Sequence, residues 1–428
     1  MKPWRFSVPI LAAVVFTGCA TGRALMPTPN VYDGATEQTI YSEIPATLKS
    51  NAVDLLYVTD RKPEIDDQGQ LFYGFGRSPS AAFGSAIVEI GEKTPWETLV
   101  SLSLAGERKE QLKLEMGAIT ELGRFPETPY PAVLIEDVIQ PDPAAVKQAR
   151  VTESLLHTEF GRRLALAKKK EAVIFIHGYN NDFEDAAFTL AELWHFLGRE
   201  HVPILYSWPA GRGGLKGYAY DRESGEFTVF HLKRFLKSVA AAADIDKVHL
   251  IAHSRGTDVT MSAIRELFLE ATAEGLDVRA HFKIENLVLA APDMDFEVVL
   301  QRIVAENVGT GVGQLTVYTS QKDKAIGIAE RLFGSLTRIG RLQPTDFTPA
   351  QAESVKRISD VTFVELQGKT DTLGHGYFHN SPAASSDLIL VIRYDRPPGA
   401  EHGRPMQPKG VNFWVMDEDY PKDRSIPE

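Results

Sequence analysis

Residues 248–259, "VHLIAHSRGTDV", join a predicted strand to a predicted helix. The apolar, strand-forming run ends at His253, and helix-compatible residues follow Gly256. Ser254 therefore lies where a strand is expected to turn sharply into a helix. A serine two residues before a glycine is expected about twice by chance in a chain of this length. The role of Ser254 therefore depends on the partners that the rest of the chain supplies.

Apolar runs alternate with helical patterns on both sides of this stretch. The runs are "AVIFIH" (172–177), "PILYSW" (203–208), "IENLVLAA" (284–291), "QLTVYTS" (314–320) and "VTFVEL" (361–366). Fully apolar strands separated by helices predict a mostly parallel sheet with helices on both faces, which is an α/β fold. Ligands of such open sheets bind at the carboxyl ends of the strands.

Reactive side chains are concentrated just after these strands. In chain order they are His177, Ser254, Asp293 with Asp295, Asp323 and His375. The succession serine, aspartate, histidine is the chain order of α/β-hydrolases, whose nucleophile occupies the motif G-x-S-x-G. Here Ala252 replaces the first glycine. The turn needs a small residue at that position, and alanine meets this need less well than glycine.

A catalytic serine needs an imidazole to take its proton and a carboxylate to orient that imidazole. We assign Ser254 as the nucleophile, His375 as general base and acid, and Asp323 as the triad acid. Asp323 follows the strand after next from the nucleophile, the usual acid position in this fold. Asp293 and Asp295 follow the next strand and are alternative acids.

Other interpretations of these residues remain open. Ser254 could instead be a helix N-cap, a role that serine often has at such junctions. His379 competes with His375, but it lies just before Ser381, where Ser-Pro predicts a helix start. We interpret three histidines as structural: His177, His253 and His379.

Six motifs in one order resemble a family of bacterial esterase/lipase-superfamily proteins of uncharacterised function, the DUF900-like α/β-hydrolases. The resemblance covers roughly residues 51 to 380 and implies the α/β-hydrolase fold and a serine-hydrolase mechanism, but no defined substrate. We expect the backbone N–H of Arg255 to be one oxyanion donor, and the family pattern implies Tyr179 N–H as the second. The motifs are "VDLLYVTDRKP" (53–63), "VIFIHGYNNDFEDA" (173–186), "ILYSWPAG" (204–211), "LIAHSRG" (250–256), "LAAPDMD" (289–295) and "YTSQKDKA" (318–325) with "RLFGSLTRIGRL" (331–342).

The first residues predict export and lipidation. A short basic start precedes the apolar run "VPILAAVVF" (8–16), and "FTGC" (16–19) resembles a bacterial lipobox. Cys19 is the single cysteine of the chain and lies where the motif requires it. We expect a signal peptide over 1–18 and a lipid anchor on Cys19 in the bacterial cell envelope. Because Ala20 is not aspartate, the outer membrane, facing the periplasm, is expected. The alternative is an ordinary signal peptide with an incidental cysteine.

The remaining chain divides into segments by pattern. We predict a tether over 19–50, a β-rich N-terminal extension over 51–150, the catalytic domain over 151–395 and a C-terminal extension over 396–428. "LVSLSLAG" (99–106) has a strand-like pattern, and "AYDRES" (219–224) is expected to be a loop near the site, without an assigned role.

Composition excludes some functions and leaves others. The net charge of −11 and the lack of a basic cluster with interleaved aromatics argue against nucleic acid as a partner. No phosphate-binding loop is present and no His/Cys/Glu spacing suggests a metal, so we predict no cofactor and no metal.

Two functions are therefore carried forward. The first is a membrane-anchored serine hydrolase that forms an acyl-enzyme with a small-molecule or lipid carboxylic ester. The second is a non-catalytic binding or envelope-structural lipoprotein that retains the hydrolase fold. Peptidases and thioesterases can use the same three residues, so the sequence supports acyl transfer to water more strongly than it supports an ester substrate.

Overall fold

The computed structural model describes residues 23–33, 35–36, 40–41, 43–332, 334, 336–356, 360–368 and 373–422. Cys19 and the whole predicted signal peptide lie outside these residues.

The strands and helices are numbered in chain order. The strands are β1 (Ala52–Ile65), β2 (Leu71–Ile90), β3 (Leu114–Arg124), β4 (Ala132–Ile135), β5 (Val138–Pro141), β6 (Glu171–Ile176), β7 (Val202–Ser207), β8 (Lys247–His253), β9 (Ile284–Ala290), β10 (Gln314–Thr319), β11 (Val361–Leu366), β12 (Gln407–Gly410) and β13 (Phe413–Met416). The helices are α1 (Trp96–Leu104), α2 (Pro143–Leu166), α3 (Phe183–Phe196), α4 (Gly214–Ala240), α5 (Gly256–Ala273), α6 (Val278–Phe282), α7 (Phe296–Val299), α8 (Lys324–Leu332), α9 (Pro349–Lys356), α10 (Tyr377–Asn380) and α11 (Pro382–Ile392).

Eleven strands form one sheet in the order β12-β13-β11-β10-β9-β8-β6-β7-β1-β2-β3. The run from β13 to β1 is parallel throughout. Antiparallel partners extend both edges, with β2 and β3 on one side and β12 on the other. The predicted strand–helix alternation thus produces a mostly parallel sheet, and β8, which leads to Ser254, lies among its central strands.

The sheet is buried on both faces, as its apolar strands require. Along β6, Val173 and Phe175 belong to one core cluster, whereas Ile174 and Ile176 belong to the other. Successive side chains of a strand point to opposite faces, so each strand contributes to both cores. Helix α3 covers one face and α5 covers the other. This double layer fixes the strand ends, where the reactive residues lie.

The segment predicted to be a tether is packed against the domain over its described residues. Met26, Tyr32 and Tyr41 are buried in the same core cluster as helix α3. Arg23 forms an ion pair with Glu192 of α3. Over the described residues, the prediction of a tether at 19–50 is corrected. Its apolar side chains are separated by polar ones and pack individually, so no periodic pattern announces their burial.

Two further predictions are corrected by the pairing of the strands. The boundary drawn at residue 150 is not a break in the sheet, because β1 pairs with β7 in parallel, for example Leu56 with Ile204. The C-terminal extension likewise contributes β12 and β13 to the same sheet.

The strand-like stretch at 99–106 lies largely in helix α1, so the interpretation as a strand is wrong. This helix buries Trp96, Leu99 and Val100 at helical spacing.

Among the described residues, no helix is long and apolar enough to cross a membrane.

Packing of the N-terminal segment makes a testable prediction. Tyr41 is fully buried, and its hydroxyl donates to the carbonyl oxygen of His195 at 3.1 Å. We expect Tyr41→Ala to lower the free energy of unfolding by about 3–5 kcal/mol, measured by urea denaturation. Ile65, which is 65% exposed, provides the control, and Ile65→Ala should change stability by about 0.5 kcal/mol or less. Equal effects of the two substitutions would contradict the packing.

Candidate active site

Ser254 lies on a strained turn between β8 and α5. β8 ends at His253, α5 begins at Gly256, and the φ angle of Ser254 is 53°. A non-glycine residue in this left-handed region costs about 1–3 kcal/mol and persists only where surrounding structure holds it. The N–H of Ser254 donates to Ala290 O at 2.9 Å, which anchors the turn to the neighbouring strand. This is the strand–turn–helix arrangement of a nucleophile elbow.

Two glycines allow the chain to pass close to this turn. A Cβ on Gly178 would lie 2.6 Å from the Cβ of Ser254, and a Cβ on Gly256 would lie 2.2 Å from His177 O. Either contact is much shorter than van der Waals distance. The loop after β6 and the turn after β8 therefore approach each other so closely that both Gly178 and Gly256 have to lack a side chain.

His375 and Asp323 are brought together at the carboxyl ends of the strands, where Ser254 also lies. Asp323 follows β10 and is buried, and its Oδ2 lies 2.8 Å from Nδ1 of His375, which is partly exposed. The other carboxylate oxygen accepts the N–H of Ile326 at 2.9 Å, near the start of α8. A carboxylate fixed in this way can hold the imidazole in the tautomer whose Nε2 accepts a proton.

His253 connects the histidine loop to the serine turn. Its Nε2–H donates to the carbonyl oxygen of His375 at 3.1 Å, and the two rings lie 4.8 Å apart. Within the described part of the chain, Ser254 Oγ forms no hydrogen bond. Burial, together with the His375 ring, keeps the pKa of His253 well below its usual range. His253 therefore stays neutral and positions His375.

Two backbone N–H groups beside Ser254 are available to a ligand. Among the described residues, neither the N–H of Tyr179 nor that of Arg255 donates a hydrogen bond. The guanidinium of Arg255 turns away from the turn and pairs with Asp258 at 2.8 Å. Buried or half-buried N–H groups are usually paired, so two such groups flanking one serine form a candidate oxyanion hole.

Sequence reasoning missed the residue that holds the Tyr179 loop. Asp221 is buried, and its Oδ2 accepts the N–H of Asn180 at 3.0 Å and of Gly211 at 3.3 Å. Burial raises the pKa of this carboxyl group. Residues 219–224, expected to be a loop, lie within helix α4. The stretch "GEFTVFHLKRFLKSVAAAA" (225–243) has a helical pattern, and the helix extends back from it to Gly214.

The two alternative acids do not contact His375. Asp293 Oδ2 accepts the hydroxyl of Tyr218 at 2.6 Å, and its Oδ1 lies 3.5 Å from Arg338 Nη1. Asp295 caps helix α7 by accepting the N–H of Val298 at 2.9 Å. Among the three candidate aspartates, Asp323 is thus the one whose carboxylate contacts His375.

Two other histidines have structural partners. His177 is fully buried, its Nε2 accepts the N–H of Trp208 at 3.1 Å, and burial lowers its pKa strongly. His379 lies 2.9 Å from Glu192 in the cluster that holds Arg23.

Arg61, which sequence reasoning did not single out, is fully buried and lies 3.2 Å from Nε2 of His177. It donates to the carbonyl oxygens of Ala210 at 2.7 Å and Asn181 at 2.9 Å. Burial lowers its pKa to about 10, which leaves it charged at neutral pH. One cation within β1 thus fixes the loops after β6 and β7, a role that its place in the "YVTDRKP" motif could have indicated.

Comparison with known families now assigns the chain. The family described as "Alpha/beta hydrolase of unknown function (DUF900)" matches residues 152–393, more than half of the chain. The chain belongs to this family. The resemblance inferred from the six motifs is confirmed, as is the α/β-hydrolase fold. A search among curated proteins found no match to the chain.

Three solved structures to which the chain is similar illustrate the likeness. An esterase from Pyrobaculum calidifontis has 12% identity and a TM-score of 0.28, over 54% of this chain and 78% of that chain. A lipase-esterase related protein from Clostridium acetobutylicum has 10% identity and a TM-score of 0.21, over 53% and 90%. A hydrolase from Oleispira antarctica has 13% identity and a TM-score of 0.21, over 51% and 81%.

Proposed function

We propose that the chain is a serine hydrolase that cleaves carboxylic esters through an acyl-enzyme. The observation that carries this proposal is the 2.8 Å contact between His375 Nδ1 and Asp323 Oδ2. This contact lies at the carboxyl ends of the strands, as Ser254 does. The strained backbone of Ser254 and the two N–H groups beside it add to the argument. The esterase/lipase-superfamily resemblance favours esters over amides or thioesters.

The proposed reaction proceeds in two halves. Ser254 Oγ attacks the ester carbonyl carbon while His375 Nε2 takes the hydroxyl proton. Asp323 accepts the Nδ1–H of His375 and stabilises the imidazolium. The tetrahedral oxyanion is met by the N–H groups of Tyr179 and Arg255, each worth about 3–4 kcal/mol. Collapse releases the alcohol, which takes the proton from His375, and water then repeats the sequence on the acyl-enzyme.

Substrate binding has to complete the hydrogen bond between Ser254 and His375. Ser254 Oγ forms no hydrogen bond within the described part of the chain, and catalytic hydrogen bonds are often long before substrate binds. His253 Nε2 holds the backbone of His375 at 3.1 Å, so the imidazole stays next to the residue that precedes the nucleophile. The proposal requires that Ser254 Oγ and His375 Nε2 come within hydrogen-bond distance when substrate binds.

We also propose that the hydrolase is anchored to the outer membrane of a bacterial envelope, facing the periplasm, through lipid on Cys19. The support is the "FTGC" motif and the position of the single cysteine. Arg23 is already paired with Glu192, so only residues 20–22 lie between the lipidated position and the packed domain. The four steps from Cys19 to Arg23 span at most about 14 Å. The domain is therefore expected close to the membrane surface.

The nucleophile is tested with a fluorophosphonate probe. We expect the full chain to be labelled covalently and Ser254→Ala to lose all labelling, because the probe reacts with an activated serine hydroxyl. Ser262→Ala, which changes a serine further along helix α5, is the matched control and should label normally. Absence of labelling in the parent protein, or equal labelling of both forms, would favour the non-catalytic binding protein.

The acid is tested by comparing two aspartates. Asp323→Asn should lower kcat for a p-nitrophenyl ester roughly ten-thousand-fold with folding retained, because the amide favours the wrong histidine tautomer. Asp293→Asn should have a far smaller effect, since its carboxylate contacts Tyr218 and Arg338 rather than His375. The reverse ranking of the two variants would contradict the assignment.

The anchor is tested by fractionating cells that express Cys19→Ser. We expect the substituted protein to leave the membrane fraction, whereas the parent protein should stay there and incorporate labelled palmitate. Ser50→Ala serves as a control substitution in the same N-terminal region and should remain in the membrane fraction. Persistence of Cys19→Ser in membranes after a salt wash would argue against lipidation.

A further inference from the structure

A second cluster of reactive side chains lies at the amino ends of the central strands, whereas Ser254 lies at their carboxyl ends. Glu171 begins β6, His201 directly precedes β7, and His249 is the third residue of β8. In the sheet, β6 lies between β7 and β8, so the three residues come from adjacent parallel strands at their amino ends. The hydrolase mechanism makes no use of any of them.

The three side chains converge on a small volume. Oε2 of Glu171 lies 3.3 Å from Nε2 of His201 and 3.1 Å from Nε2 of His249. One ligand atom from each residue lies within 4.8 Å of the other two. Ligand atoms at 2.0–2.1 Å from a tetrahedral zinc ion are about 3.3 Å apart. The two distances from Glu171 are therefore close to the spacing around one ion, and the separation of the two histidine nitrogens lies within 4.8 Å.

His201 provides an independent observation that points to a ligand. It is 1% exposed, and within the described residues neither of its ring nitrogens has a hydrogen-bond partner. Its contact with Glu171 has the distance of an ion pair but not the angle of a hydrogen bond. A buried imidazole without hydrogen bonds is rare and calls for an unseen water or ion. One cation at the centre would satisfy both imidazoles and the carboxylate.

We propose that Glu171, His201 and His249 bind one zinc ion. Neutral imidazole nitrogen and carboxylate oxygen are ligands that zinc accepts, and three protein ligands leave one tetrahedral position for water. Both histidines are buried, whereas the Glu171 side chain is 13% exposed, so the ion enters from the side of the carboxylate. The ion would join β7, β6 and β8 at their amino ends.

Zinc binding at this cluster places requirements on two neighbouring residues, Asn286 and Lys169. Asn286 Nδ2 lies 3.0 Å from His249 Nδ1 and donates to Asp395 at 2.7 Å. Zinc on Nε2 of His249 puts the ring proton on Nδ1, which then needs an acceptor. Rotation of the amide would bring Asn286 Oδ1, which is buried without a partner, to this nitrogen, and would give up the hydrogen bond that Nδ2 donates to Asp395. Lys169, 4.0 Å from Glu171, is held by the carbonyl of Arg393 and must tolerate the ion.

The test is zinc binding by the full chain carrying Cys19→Ser, so that the single thiol cannot bind metal. After chelator treatment, equilibrium dialysis should give one zinc per chain with a Kd in the micromolar range or below, and a raised Tm. His201→Gln and His249→Gln should each weaken binding at least a hundredfold. His281→Gln, which changes an exposed histidine, should bind like the parent chain.

Two results would overturn the proposal: no stoichiometric zinc on the parent chain, or unchanged affinity in both histidine variants. If the variants do not fold, the cobalt(II) spectrum of the parent chain decides. Intense visible bands of four- or five-coordinate cobalt support the site, and the weak spectrum of octahedral aqueous cobalt contradicts it. Fluorophosphonate labelling at Ser254 is a separate readout, so failure of the zinc site and failure of the serine-hydrolase proposal are distinguishable.

Discussion

The close approach of two loops around Ser254 is the constraint on which the candidate site depends. Ser254 has a left-handed backbone that only its surroundings can maintain. Gly178 and Gly256 supply those surroundings, because a Cβ on either would collide with the serine turn or the strand beside it. The same contact brings the Tyr179 and Arg255 N–H groups to one serine. Strain in the backbone and a site for a developing negative charge thus have a single structural origin.

Environment assigns different tasks to similar side chains. His177 and His253 are buried and held neutral by desolvation, so they act as fixed hydrogen-bond partners within the turns. His375 is partly exposed and contacts a buried carboxylate, which is the combination that general base catalysis needs. The aspartates divide in the same way. Asp323 contacts an imidazole, whereas Asp293 contacts a phenol and a guanidinium.

The sequence predicted the parts of the fold that depend on local pattern. Apolar runs located β6, β8, β9, β10 and β11, and the residues after them include the serine, aspartate and histidine of the candidate site. The pairing of β1 with β7 joins residues about 150 positions apart in the sequence, so no local pattern predicts it. Burial of Tyr32 and Tyr41 likewise depends on α3. Alternating apolar and polar residues at 99–106 imitated a strand, although Pro95 and the spacing of Trp96 and Val100 favoured a helix.

The two ends of the central strands can hold separate chemistry because the sheet keeps them apart. Ser254 follows His249 by five positions and lies just past the end of β8, a distance of about 17 Å at 3.3 Å per residue. A doubly charged ion at that distance acts on a unit charge by about 2 kcal/mol at an effective dielectric constant of 20. That is about 1.4 pKa units for a histidine. The proposed zinc ion lacks a local sequence signal because its ligands come from three strands. An ion there would act directly on the cohesion of β7, β6 and β8, and would reach the carboxyl ends of these strands only through its long-range field.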